Sequence, residues 1–166
     1  MSIMNKVALL LFSFCCYSER VLGQNCTLSV ASPSINFGNF NPFQINPITG
    51  INQTITIKCT GQPNPITFTL KLNAGGDNTY NPYRHMHRNG VGPQTLSYNL
   101  YMNAAHTVIW GDGTSSTSFV NQITGIRCRV NDPPCAYIAY GLLPAPQPSV
   151  TGGPYSAQIT ATLTYN

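Results

Sequence analysis

Three features of the sequence predict an all-β fold, a β-sandwich of immunoglobulin type. Apolar residues recur at every second position in several segments, the pattern of strands with one buried face. Good helix formers are scarce and β-branched residues dense. Pro or Gly interrupts the chain wherever a helix would start, and turn clusters separate about seven short runs, as a sandwich requires. A closed barrel is the alternative architecture.

The first segment is read as lying outside that fold. Met1 to Gly23 has the layout of an export signal: Lys6 gives a positive start, Val7 through Tyr17 an apolar core, and Val21 and Gly23 the permissive residues of a cleavage site. Such a core is too short to span a bilayer as a helix, and nothing after Gly23 is apolar for long enough. Residues 1–23 are therefore expected to be a signal peptide and residues 24–166 one domain, with no membrane span after cleavage.

Within that domain, Cys26 to Val30 and Ser34 to Phe37 are short strand candidates. Ile55, Ile57 and Cys59 then alternate with Thr54, Thr56 and Lys58. Ile66, Phe68, Leu70 and Leu72 alternate with Thr67, Thr69 and Lys71, and Leu96, Tyr98, Leu100 and Met102 with Ser97, Asn99 and Tyr101. Val108 to Trp110 and Ala136 to Leu143 are shorter candidates. The last strand is the clearest, with Ala157, Ile159, Ala161, Leu163 and Tyr165 on one side and Gln158, Thr160, Thr162 and Thr164 on the other. Turn residues fall between the runs, at Asn39 to Pro47, Gly61 to Pro65, Ala74 to Asn78, Asn89 to Pro93, Gly111 to Gly113, Asn131 to Pro134 and Gly152 to Pro154. In Trp110-Gly111-Asp112-Gly113, Asp-Gly behind a hydrophobic strand end predicts a tight structural turn.

Charge narrows the chemistry. Only 7% of residues are charged, against about 25% in an ordinary soluble domain. The acids are Glu19, Asp77, Asp112 and Asp132, too few for a paired-carboxylate hydrolase or a multi-carboxylate calcium or magnesium site. The net charge of +4 reflects missing acids. Lys58, Lys71, Arg84, Arg88, Arg127 and Arg129 are dispersed, so no nucleic-acid partner is expected.

Four cysteines follow Gly23: Cys26, Cys59, Cys128 and Cys135. In an exported chain they read as disulfides. Of the three pairings possible, Cys26 with Cys59 and Cys128 with Cys135 is favoured, and zinc is disfavoured because no CxxC occurs. His85 and His87 would point the same way in an extended segment and so suit a shared metal. With no third ligand in sight they are read as two histidines in a polar loop. No nucleophile elbow is present, so no catalytic residue, metal or cofactor is assigned and no enzyme is expected. Tyr80, Tyr83, Tyr101, Trp110, Tyr137, Tyr140 and Tyr155 would make a sugar-stacking platform if exposed, the basis of an alternative reading as a secreted glycan- or surface-binding module. Core or interface positions are the preferred reading for most of them.

Taken in order, the motifs resemble the spore coat protein U domain family, which includes subunits of archaic, Csu-type chaperone–usher pili. Cys26-Thr27-Leu28 and Phe37-Gly38-Asn39-Phe40-Asn41-Pro42 are similar to its opening, followed by Ile55-Thr56-Ile57-Lys58-Cys59 and Arg84-His85-Met86. Leu96-Ser97-Tyr98-Asn99-Leu100-Tyr101, Val108-Ile109-Trp110-Gly111-Asp112-Gly113, Tyr140-Gly141-Leu142-Leu143-Pro144-Ala145 and Gly153-Pro154-Tyr155-Ser156 then lead into the final strand. The resemblance implies a sandwich lacking its last strand. A periplasmic pilus chaperone, an outer-membrane usher and neighbouring pilus or coat subunits would be the partners, and a fimbria or coat on the cell surface the destination. It makes Ile159, Ala161, Leu163 and Tyr165 candidates for lining the open groove. Only Gln24 and Asn25 stand between Gly23 and Cys26, so the processed chain is expected to accept a strand but not to donate one. A terminal place in a fibre, or a coat component, follows.

Overall fold

The computed structural model describes residues 7–13, 25–32, 34–50, 52–60, 67–89, 93–122, 128 and 135–165. Among them there is no helix. The strands are β1 (Val7–Ser13), β2 (Asn25–Val30), β3 (Asn36–Asn39), β4 (Ile48–Thr49), β5 (Gln53–Thr60), β6 (Phe68–Leu72), β7 (Arg84–Arg88), β8 (Thr95–Tyr101), β9 (Val120–Gln122), β10 (Cys135–Leu143) and β11 (Tyr155–Tyr165). Alternation is the cause where it is strongest. Gln53, Ile55, Ile57 and Cys59 of β5 are buried while Lys58 and Thr60 are exposed, and Phe68, Leu70 and Leu72 of β6 are buried around half-buried Thr69 and Lys71.

The strands hydrogen-bond in the order β2-β5-β10-β8-β7-β11-β1-β3, with β4 on β10, and β6 joining β11 to β9. Among the described residues this path does not close, so the fold is an open sandwich and not a barrel. β10 changes partner along its length: Cys135–Ala139 pair with β5, and Tyr140–Leu142 with β8. A strand that switches partners carries the chain from one layer to the next. The inward faces share one core, in which Phe68 meets Tyr137 at 6.1 Å and Phe37 meets Tyr98 at 6.2 Å, both edge to face.

Several segments depart from the sequence reading. Arg84–Arg88 is not a polar loop but β7, paired with β8 and β11. Its inward positions are Arg84 and Met86, both fully buried, and a buried arginine leaves no apolar alternation to read. Val108 to Trp110 makes only isolated bridges, Tyr101 with Ile109 and Trp110 with Ser118. The strand sought at Ser34 to Phe37 lies at Asn36–Asn39. Ile66, Gly61 to Pro65 and Asn131 to Pro134 lie outside the described residues. Val7–Ser13, the described part of the apolar segment read as an export signal, forms β1, which does not bear on whether that segment is removed.

Candidate functional site

β11 is the longest strand, with 11 residues, and its two edges are used differently. On one edge Ala161–Tyr165 pair with β6, and Tyr155 and Ser156 pair with β7. On the other, Tyr155–Thr160 pair with β1. This is the single parallel pairing of named strands among the described residues. β1 in turn lies antiparallel to β3, with Val7 opposite Asn39 and Leu9 opposite Asn36. The place of β1 is thus a slot one strand wide between two hydrogen-bonding banks, the Tyr155–Thr160 stretch of β11 and the four residues of β3.

Buried apolar side chains line the banks: Tyr155, Ile159, Ile35 and Phe37. The Ile35 and Phe37 side chains at the β3 bank pack against bare glycine backbone. A Cβ added at Gly141 would stand 2.9 Å from the Phe37 ring, and one at Gly50 2.7 Å from the Ile35 side chain, both inside van der Waals contact. Of the four groove candidates, Ile159 is in register with Phe12 of β1. Ala161, Leu163 and Tyr165 are buried beyond the end of β1, in register with Leu72, Leu70 and Phe68. Periodicity in β11 did not reveal the opposite bank, because Phe37 is the only apolar residue of β3.

A polar hub centres on Arg84 of β7, the strand paired with Tyr155 and Ser156 of β11. Arg84 Nε and Nη2 donate to the Asn73 carbonyl at 3.2 and 3.1 Å. Its Nη1 donates to Asn99 Oδ1 at 2.5 Å and its Nη2 to the Trp110 carbonyl at 2.5 Å. The guanidinium also stands 4.8 Å from the centre of the Tyr80 ring. Burial pulls the Arg84 pKa down, opposed mainly by Tyr98 and Tyr80. Burial, reinforced by Asp112, pushes the Tyr80 phenol up to about 12, so it stays a donor, to the Leu72 carbonyl at 3.0 Å.

The Trp110-Gly111-Asp112-Gly113 segment is a turn. Asp112 Oδ1 accepts from the Thr114 hydroxyl at 2.6 Å and from the Thr114 N–H at 2.9 Å, and these bonds hold its carboxyl below the usual range. Gly113 adopts φ +96°, a conformation natural to glycine, and a Cβ on Gly111 would overlap Thr117. Trp110 is buried, its indole N–H donating to the Leu70 carbonyl at 3.3 Å.

The histidines meet an acid that spacing did not predict. Asp77 Oδ1 lies 2.5 Å from His87 Nε2, and Asp77 Oδ2 lies 3.3 Å from His85 Nδ1. Among the described residues no group of three His, Cys, Asp or Glu side chains is arranged to hold a metal ion. Of the seven aromatic residues weighed for a sugar platform, Tyr80, Tyr101, Trp110 and Tyr155 are buried, the core positions preferred for most of them. Disulfides join Cys26 to Cys59, with Cα atoms 4.0 Å apart, and Cys128 to Cys135, 5.1 Å apart. Cys59 N–H also donates to the Cys128 carbonyl at 2.6 Å.

A family model described as Spore Coat Protein U domain matches residues 13–162, beginning at the last residue of β1. Protein U of Myxococcus xanthus is 29% identical over 139 residues, which are 80% of this chain and 72% of that protein.

Proposed function

The chain belongs to the Spore Coat Protein U domain family, and from that premise we propose that it is an exported structural subunit of a bacterial surface fimbria or spore-coat-like assembly. In this reading it accepts a strand from a periplasmic pilus chaperone, passes through an outer-membrane usher, and then takes a strand from a neighbouring subunit. The family is one of structural pilus and coat domains, assembled at the surface. Two disulfides fit an exported protein, and no helix among the described residues is long and apolar enough to cross a membrane.

The observation that carries the proposal is the slot. Its banks are two backbone edges over buried apolar side chains, and the strand between them lies ahead of nearly all of the family match. An unpaired edge beside an apolar core is an aggregation hazard. A strand added from another chain satisfies the backbone through main-chain pairing and fills the core with alternate side chains. Removing residues 1–23 would take β1 away and leave the two banks facing each other.

The test is thermal denaturation of residues 24–166, alone and with an Ile/Thr-alternating peptide or a coexpressed periplasmic pilus chaperone. At about 100 times its Kd the peptide should raise the Tm by roughly 10 °C. A chain equally stable without either addition would overturn the open-slot reading.

A further inference from the structure

We propose that the side-chain amide of Gln147 serves as a one-residue strand, closing the edge of β8 against strand addition by another chain. That edge is not a bank of the slot, and the proposal stands whether or not the slot accepts a strand.

The two edges of β8 have different partners. Along one, Thr95–Tyr98 pair with β7. Along the other, Asn99–Tyr101 pair with β10, which ends at Leu143. Carrying that register on from Leu142 opposite Asn99 would set Pro144 opposite Ser97. Proline has no N–H to give to a ladder, and Pro146 and Pro148 follow at alternate positions. Pairing with β10 therefore stops while β8 still has backbone to satisfy. In an antiparallel ladder the N–H and C=O of one residue point to the same side, and those of Ser97 point away from β7. Left unpaired, they would be a template for a strand of another chain.

Gln147 takes both groups. Ser97 N–H donates to Gln147 Oε1 at 2.8 Å, and Gln147 Nε2 donates to the Ser97 carbonyl at 3.0 Å. A carboxamide carries the same acceptor and N–H donor as a peptide unit, so these are the two bonds that a residue of a neighbouring strand would make. The second N–H of Nε2 donates to the Pro144 carbonyl at 2.8 Å. The backbone of Gln147 is anchored as well, its N–H donating to the Pro42 carbonyl at 2.9 Å and its carbonyl accepting from Val150 N–H at 3.1 Å. Strand edges are often blunted by charge, lysine above all. Only 7% of this chain is charged and β8 carries no charged residue, so a neutral amide closes the edge instead.

The test is residue-resolved amide exchange on the full chain, with and without an Ile/Thr-alternating peptide of the length of β8, 7 residues. Gln147→Met keeps the length of the side chain and removes the amide. Its Ser97 N–H should exchange at least about tenfold faster than in the unsubstituted chain, and the peptide should slow it again. Gln147→Glu loses the same donated bonds and so controls for lost stability, yet its carboxylate still accepts from Ser97 N–H and places a charge on the edge. There Ser97 should stay protected, and the peptide should not change it. Unaltered protection of Ser97 in Gln147→Met, or faster exchange that the peptide does not slow, would overturn the proposal. So would Gln147→Glu behaving as Gln147→Met does, because exchange would then follow lost stability rather than an opened edge. The slot reads out separately, through Tyr155–Thr160 and Asn36–Asn39.

Discussion

Arg84 is a buried cation held by carbonyl oxygens rather than by a carboxylate. Four hydrogen bonds reach Asn73, Asn99 and Trp110, tying β7 to β8 and to the turn behind Trp110. Lysine has no planar fork and cannot reach all three acceptors at once. Arg84→Lys is therefore expected to lose about 3 kcal/mol in urea denaturation, since buried acceptors are left unpaired; a loss below about 1 kcal/mol would show that the hub is not structural. Tyr98 makes the opposite case. Its hydroxyl is buried without a hydrogen-bond partner among the described residues, and burial pushes its pKa well up. Tyr98→Phe should be neutral or stabilising by up to about 1 kcal/mol, and a clear destabilisation in the same titration would mean that the hydroxyl is satisfied. Trp110 resists a surface role for the same reason of burial: its truncation would test the core, not a binding face.

At the scale of elements, the legible strands are those whose physics is simple. β5, β6 and β11 bury one apolar face, and their alternation stands in the sequence; β8 alternates too, but buries Asn99 and Tyr101 on its second face as well. β7 does not, because its inward residues are Arg84 and Met86, and polar residues surround them. β3 offers only Phe37 to the core and takes its place from Gly50 and Gly141, whose bare backbone leaves room for the Ile35 and Phe37 side chains. A glycine that matters for contact looks in sequence like one that matters for a turn, so the β3 bank of the slot was not readable. Gly141→Ala should displace Phe37 and cost about 1 to 3 kcal/mol, with raised amide exchange along β3. Unchanged exchange there would separate Gly141 from the β3 bank. The Asp77 contact with His85 and His87 was equally hidden, since the loop that brings Asp77 to β7 carries no periodic signal.

For the whole molecule, two-residue alternation, scarce helix formers and ordered motifs pointed to an all-β domain of a structural family, and the sandwich and family membership agree with that. What composition could not supply is the way the strand path ends: β11 and β3 stand one strand apart, with an apolar N-terminal segment between them. Assembly through that gap is the central claim, and amide hydrogen exchange on residues 24–166 tests it most directly. Without a peptide, the N–H groups of Tyr155–Thr160 and Asn36–Asn39 facing the slot should exchange rapidly, while those of β5 stay protected. With an Ile/Thr-alternating peptide, protection should rise at least about tenfold on both banks together. Banks already protected in the free chain, or protection appearing elsewhere, would contradict the account.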